Sequence, residues 1–271
     1  MENMWNKNLE IDKVLKNYTQ QKLGVRKKTS YKGTQAEFGK FPLCMKIYIL
    51  IIRYWKRISE MDSKYMQELF HLEKLKNEEG NVSWMKIVDF LLSYTKYDTS
   101  DLENIDKCQN ANMFLRDYEL KLKTMYDQHW KKSINDSFNE SKMEFLCEYK
   151  RNFKFESYLD DLKYEDRKIV AKFRLCNHSL PIERLRYENV IRYKRLCDIC
   201  SSGTIGDENH YMIWCLNDDI KKTREKFIKD VIDIIPEISK LNEKNIIKYC
   251  LLMSDSNLHL ITATYIKDKH I

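Results

Sequence analysis

Only six glycines and three prolines interrupt 271 residues. These two residue types supply most of the sharp reversals that a sandwich or barrel needs every few residues, so their scarcity favours long helices over a turn-rich sheet fold. Hydrophobic residues at 43% and aromatics at 12% are enough to build a buried core and exclude a disordered chain. The expected fold class is mostly α, a helical array.

Caps and apolar periodicity place the helices. Pro42 suits the first turn of a helix running to residue 58, Ser63 can cap one ending near Gly80, and Ser83 can cap a third. The third helix carries Trp84, Ile87, Val88 and Leu91 at helical spacing. A long helix is predicted over 111–133, with Leu115, Tyr118, Leu122, Met125 and His129 on one face, and a shorter one over 141–151. Leu162, Ile169, Phe173 and Cys176 then share a face, flanked by Lys163, Arg167 and Arg174. Residues 22–40 hold three of the six glycines and a basic cluster, and read as irregular. Residues 219–268 return to helix, interrupted at Pro236. This divides the chain into a polar segment 1–21, a helical region 22–160, a basic helix with a small module at 161–218, and C-terminal helices 219–271.

The N-terminal stretch MENMWNKNLEIDKVLKNYTQQ is polar and lacks the apolar core of a signal peptide. The greasiest run, Leu43 to Trp55, contains Lys46 and Arg53 and is shorter than the roughly 20 residues of a membrane span. No membrane association is expected, the compartment is nuclear or cytoplasmic, and the eight cysteines are reduced thiols or metal ligands.

Three of those cysteines cluster with a histidine. Cys197, Cys200, His210 and Cys215 form C-x2-C-x9-H-x4-C within CDICSSGTIGDENHYMIWC. Two cysteines separated by two residues can turn a knuckle and aim both thiolates at one tetrahedral ion, and Gly203 and Gly206 can return the chain for the other two ligands. The expected cofactor is one Zn2+. With all four positions filled by protein the site is closed and structural, not catalytic. His210 and Cys215 would point about 140° apart on a regular helix, so the backbone must loosen there. Cys44, Cys108, Cys147, Cys176 and Cys250 have no paired spacing and read as core.

The net charge of +7 is concentrated upstream of that module. Residues 163–195 contain ten Lys or Arg against four acids. A local basic stripe attracts polyanions better than the same charge dispersed, which makes RNA or DNA, held mainly through phosphates, the expected partner. Candidate contacts are Lys172, Arg174, Arg184, Arg186, Arg192, Lys194 and Arg195, with Tyr187, Tyr193, Tyr211 and Trp214 as aromatic faces for unpaired bases. Trp214, beside Cys215, reads better as core of the small module. No small-molecule substrate is implied, and no P-loop, GxSxG, HExxH or dinucleotide fingerprint occurs.

The stretches KFRLCNHSLPIERLRY and CDICSSGTIGDENHYMIWC together resemble the region after the polymerase in animal non-LTR (LINE-type) retrotransposon proteins. The matching residues are Phe173, Arg174, Leu175, Asn177, His178, Leu180, Ile182, Glu183, Arg186 and Tyr187, then Asp207 and Glu208 ahead of His210. GTQAEFGKFPL, the Gln128-His129-Trp130 helix and ESYLDD are similar to further blocks of that family, so the resemblance runs from about residue 22 onward. It implies a CCHC zinc knuckle and a role in holding template RNA or target DNA, with Arg186 as a favoured contact. Leu185 stands where the family carries glycine.

Tyr158-Leu159-Asp160-Asp161 spells a reverse-transcriptase YxDD box, but the charged, helix-period LKYEDRK that follows is no strand, and no polymerase motif precedes it. The chain is expected to be no enzyme. A zinc-stapled helical module that binds other proteins is the alternative.

Overall fold

A computed structural model describes residues 5, 10–81, 83–97, 110–135 and 144–268. Among them the chain is mostly helical and forms no extended strand; the β pairing present is two isolated bridges, Phe38 with Phe155 and Leu196 with Ile205. No helix of the described residues is long and apolar enough to cross a membrane.

The helices group into two compact units that do not follow sequence order. One comprises residues 1–12 and 41–129, the other residues 13–40 and 130–271. The predicted 22–160 region is thus shared between them.

In the first unit α3 (Leu43–Ser59), α4 (Lys64–Glu78) and α5 (Met85–Tyr94) pack together. Pro42 stands at the N-cap of α3, whose Met45, Ile49, Ile52 and Trp55 are buried at three- and four-residue spacing. Each such side chain contributes about 1.5–3 kcal/mol when fully removed from water. Ser83 Oγ accepts the Met85 N–H at 3.1 Å. On α5 the predicted Val88 and Leu91 are buried, but Met85 and Leu92 join them, while Trp84 is half-buried and Ile87 is exposed. α6 (Asn110–Asn135) buries the predicted Tyr118 and Leu122 together with Phe114, Tyr126, Trp130 and Ile134. The largest aromatic rings chose the face, and the flanking Leu115, Met125 and His129 are half-buried. Cys108 lies outside the described residues.

In the second unit the N-terminal part is more ordered than predicted. α1 (Glu10–Leu23) extends through the supposedly polar segment, and α2 (Tyr31–Glu37) occupies the supposedly irregular one, burying Gly33 through Glu37. Gly39, with φ +55°, approaches the backbone of the 154–155 segment so closely that a Cβ would lie 2.4 Å from Phe155 N. α7 (Glu144–Tyr149), α8 (Tyr158–Asp161) and α9 (Tyr164–Arg174) follow. α9 bears Val170, Ala171 and Phe173 on its buried side and packs on α13 (His259–Lys267). α10 (Pro181–Tyr187) leads into the Cys/His module, and α11 (Asp218–Ile234) and α12 (Glu243–Leu251) complete the unit. Asn217 caps α11 by accepting the Asp219 and Ile220 N–H groups. The Phe227 and Tyr265 rings stack at 4.1 Å, joining α11 to α13.

Tyr158-Leu159-Asp160-Asp161 is the short helix α8, with Tyr158 and Leu159 buried and both aspartates exposed. It is not a hairpin, and Asp161 lies 2.8 Å from His259 Nδ1.

Candidate metal centre

The ligand atoms of Cys197, Cys200, His210 and Cys215 all lie within 4.8 Å of one another, so this group could hold a metal ion. Two local structures bring them together.

The first is a narrow turn. Gly206 N–H donates to Arg195 O at 2.9 Å and Cys197 N–H to Thr204 O at 2.9 Å, which folds the two cysteines onto a knuckle around Gly203 (φ +66°). Gly206 is required by a close approach: a Cβ there would lie 2.9 Å from Pro181 Cγ and 3.0 Å from Cys197 Cα. Ile182 N–H donates to Gly206 O at 3.1 Å, seating the knuckle on the start of α10. The Arg195 guanidinium ties the same corner by donating to Val190 O and Ile182 O.

The second is a π-turn over His210–Trp214. Asp207 Oδ1 accepts the His210 N–H at 2.8 Å and starts the turn. Cys215 N–H then donates to His210 O at 2.7 Å, an i→i+5 bond that sets residues five apart on one side. This is the loosening that H-x4-C spacing requires. Met212 O accepts from Tyr265 Oη and Arg224 Nε, and Cys215 O from Arg224 Nη2, so the irregular turn leaves these carbonyls satisfied.

Burial works to raise the Cys200 thiol, but the Ser202 hydroxyl and backbone hydrogen bonds from Ser202 and Leu216 outweigh it and bring it down to about 6. Burial, with the adjacent sulfurs, pushes Cys215 up to about 12. Three thiols this close cannot all ionise without a cation among them, whereas a shared cation stabilises every thiolate at once. Three sulfurs and one imidazole suit a borderline-soft ion.

Arg174 is not on any binding surface. It is 1% exposed and donates through Nε and Nη2 to the Glu37 carboxylate at 3.1–3.2 Å and through Nη1 to Leu251 O at 3.0 Å. Lys163 and Arg167 stay near the surface, but the last turn of α9 rolls Arg174 inward to meet a buried acid. Tyr158 Oη donates to Glu37 Oε2 at 2.6 Å, and a buried Lys150–Glu156 pair adjoins, with Glu156 3.7 Å from Arg174. His178 and Glu208 form a second buried pair, Nε2 to Oε1 at 2.7 Å. Burial acts to raise Glu208, but the His178 ring and its hydrogen bond outweigh it and hold the carboxyl below the usual range. Cys176 is buried nearby at φ +50°.

The remaining basic candidates differ in how firmly they are held. Arg186 donates to Glu183 at 2.7 Å, and Glu183 is itself buried, so this guanidinium balances an interior carboxylate. Arg184 with Asp198 and Arg192 with Glu144 are exposed pairs, both at 2.6 Å. Lys194 is exposed and Lys172 half-buried. The Tyr187 ring is 45% exposed, with the Arg186 guanidinium 4.9 Å and the Arg26 guanidinium 5.8 Å from its centre. Tyr193 is exposed as well. Tyr211 is buried, its hydroxyl donating to Asp198 at 2.5 Å, so its ring is no stacking face.

Trp214 corrects the expectation of a core indole. It is 52% exposed, with Lys244 Nζ 4.8 Å from its ring centre, while Tyr211, Met212 and Ile213 fill the interior instead. Ile199 and Leu216, beside Cys200 and Cys215 in the sequence, are exposed as well.

No protein-family model, curated protein or solved structure matches this chain. A cleft of about 320 Å3 in this unit is lined by Glu144, Phe145, Cys147, Glu148, Asp207, Glu208 and Asn209. Four carboxylates make it unsuited to a polyanion.

Proposed function

We propose that this protein is a non-catalytic nucleic-acid-binding module stapled by one structural Zn2+, of the kind that follows the polymerase in LINE-type retrotransposon proteins. Cys197, Cys200, His210 and Cys215 would hold the ion; three thiolates and an imidazole fit tetrahedral zinc, and no ligand position is left for substrate. When bound, zinc supplies folding free energy to residues 195–215.

The observation that carries the nucleic-acid reading is the pairing of exposed rings with cations. Tyr187 has the Arg26 guanidinium 5.8 Å from its ring centre, and Trp214 has Lys244 Nζ 4.8 Å from its own. Such a pair can stack an unpaired base and neutralise the adjoining phosphate together. Arg184, Arg192, Lys194 and Lys172 are the phosphate contacts. An exposed ion pair is worth about 0–1 kcal/mol, so a phosphate displaces Asp198 or Glu144 at little cost. Arg186, Arg195 and Arg174 serve the fold. Residues from separate blocks of the resemblance meet inside the fold: Arg174 pairs with Glu37 of the AEFG block, and His178 with Glu208 of the Asp-Glu pair.

The test is binding of the zinc-loaded chain to single-stranded RNA and to duplex DNA over a salt series. A log–log slope of about −3 or steeper means several phosphates are engaged. Weak binding that ignores salt overturns the proposal in favour of a protein partner. One observation favours that second reading: α4 buries no side chain and exposes Tyr65, Leu69, Leu72 and Leu75.

A further inference from the structure

Two residues outside the ligand set link two of its members. Ser202 Oγ lies 3.1 Å from Cys200 Sγ and 2.6 Å from Thr204 Oγ1, and Thr204 Oγ1 lies 2.9 Å from His210 Nδ1. His210 Nε2 is 3.3 Å from Cys200 Sγ, which places both at the candidate centre. The chain therefore runs from one ligand, through two hydroxyls, to another.

We infer that Ser202 and Thr204 are positioning residues that choose the metal-facing atom of His210 and direct a hydrogen bond onto Cys200. This rests on the zinc reading above. The choice follows from the supply of hydrogens. With Nε2 turned to a cation, the ring's single proton is on Nδ1, and Thr204 Oγ1 accepts it. The one Thr204 hydroxyl hydrogen is then directed to Ser202 Oγ, and the one Ser202 hydrogen to the Cys200 sulfur, which as a thiolate has no hydrogen to offer in return. Every donor has one acceptor and the sequence has a single direction. Reversing it would require a proton on Cys200 Sγ and a lone pair on Nδ1, which leaves Nε2 unable to ligate. Among the hydroxyls of the knuckle these two alone span from thiolate to imidazole, and the turn around Gly203 brings them side by side.

The hydrogen bond to Cys200 withdraws charge from one sulfur, and the bond at Nδ1 fixes the ring plane and raises the basicity of Nε2. Both hydroxyls are exposed, so water replaces part of what is lost on their removal. The expected effect is at the lower end of the usual range for such outer partners, about tenfold in metal affinity.

The test is zinc affinity by chelator competition, together with the nitrogen-15 spectrum of His210 in the zinc-loaded chain. The expected result is an Nδ1–H, Nε2-bound imidazole in the unmodified protein. Thr204→Val should weaken zinc about tenfold and release the Nδ1 proton to rapid exchange. Thr204→Ser should restore both, and Ser202→Ala should weaken zinc in the same direction. A His210 bound through Nδ1, or Thr204→Val and Ser202→Ala both leaving affinity unchanged, overturns the inference while the zinc reading stands. If the unmodified chain takes up no zinc, both fall. The tautomer is read on the unmodified chain and needs no variant to fold.

Discussion

The Arg174 guanidinium closes on the Glu37 carboxylate from two nitrogens, across a sequence separation of 137 residues and in an interior that neither side chain leaves. With Tyr158, Glu156 and Lys150 they make a cluster of two acids, two bases and a phenol. Burying such charges is costly, and their mutual attraction roughly offsets that cost. Removing one partner therefore matters far more than the pair's net contribution. Glu37→Gln keeps the shape and deletes the charge; it should destabilise the protein by about 3–5 kcal/mol. Tyr158→Phe removes one hydrogen bond to a charged acceptor and should cost about 1.5–3 kcal/mol. Urea denaturation of both variants measures the difference, and equal midpoints would refute the ranking.

Acid should undo the same cluster. Burial raises the Glu37 carboxyl, but Arg174 and Lys150 outweigh it and leave it below its ordinary value. A carboxylate whose folded pKa is depressed stabilises the fold above its unfolded value, about 4.3, and loses that contribution as pH falls through the folded value. Glu208, held down beside His178, acts with the same sign. Glu183 and Asp207, raised by burial, act oppositely and favour the fold at low pH. Stability should therefore decline below about pH 4.3, and Glu37→Gln should flatten that decline. An unchanged pH slope in the variant would assign the acid limb to other carboxylates.

Metal removal should act locally. A chelator, or Cys215→Ser, should abolish the hydrogen-exchange protection of Cys197, Gly206 and Cys215 amides, whose bonds build the knuckle and the π-turn. Cys147→Ser, outside the ligand group, should retain one zinc per chain. Protection that survives chelation would mean packing alone holds residues 195–215.

Gly206→Ala tests the seating of the knuckle. The added methyl meets Pro181 and the Cys197 backbone at 2.9–3.0 Å, so residue 197 must shift and zinc affinity should fall. Gly203→Ala meets nothing within 4 Å and suffers only its positive φ, a strain of about 1 kcal/mol. Chelator competition ranks the two; a weaker effect at Gly206 would contradict the close approach.

On nucleic acid, Arg184→Ala and Arg192→Ala should each reduce the salt slope by about 1, while Arg186→Ala should lower stability more than slope. Trp214→Ala should weaken single-stranded RNA by about 1–3 kcal/mol and leave duplex DNA nearly unaffected. Equal losses on both would place Trp214 outside base stacking.

The helical class was legible from glycine and proline scarcity, and the Cys/His group from spacing alone. Faces on α5 and α6 were read partly off because neighbouring apolar residues compete: Val88, Leu91, Tyr118 and Leu122 are buried, but Met85 and Tyr126 turn inward rather than Ile87 and Met125. Glu37 lay in a stretch whose three glycines read as irregular, although Gly33 sits inside a helix. Arg174 counted as surface charge because a sequence does not disclose an acid waiting 137 residues away. Trp214 counted as core because a π-turn, not an α-helix, decides which of four successive apolar residues is left outside. Ser202 and Thr204 carried no signal beyond being hydroxyls between ligands.

The second unit is assembled from residues 13–40 and 130–271, with the chain of the first unit intervening. On a ribosome adding roughly 5–20 residues each second, Glu37 emerges on the order of ten seconds before Arg174, and Leu251 later still. Throughout that interval α2 has no guanidinium to receive its carboxylate. The α2 carboxylate is therefore made well before the guanidinium that holds it and the carbonyl that holds that guanidinium.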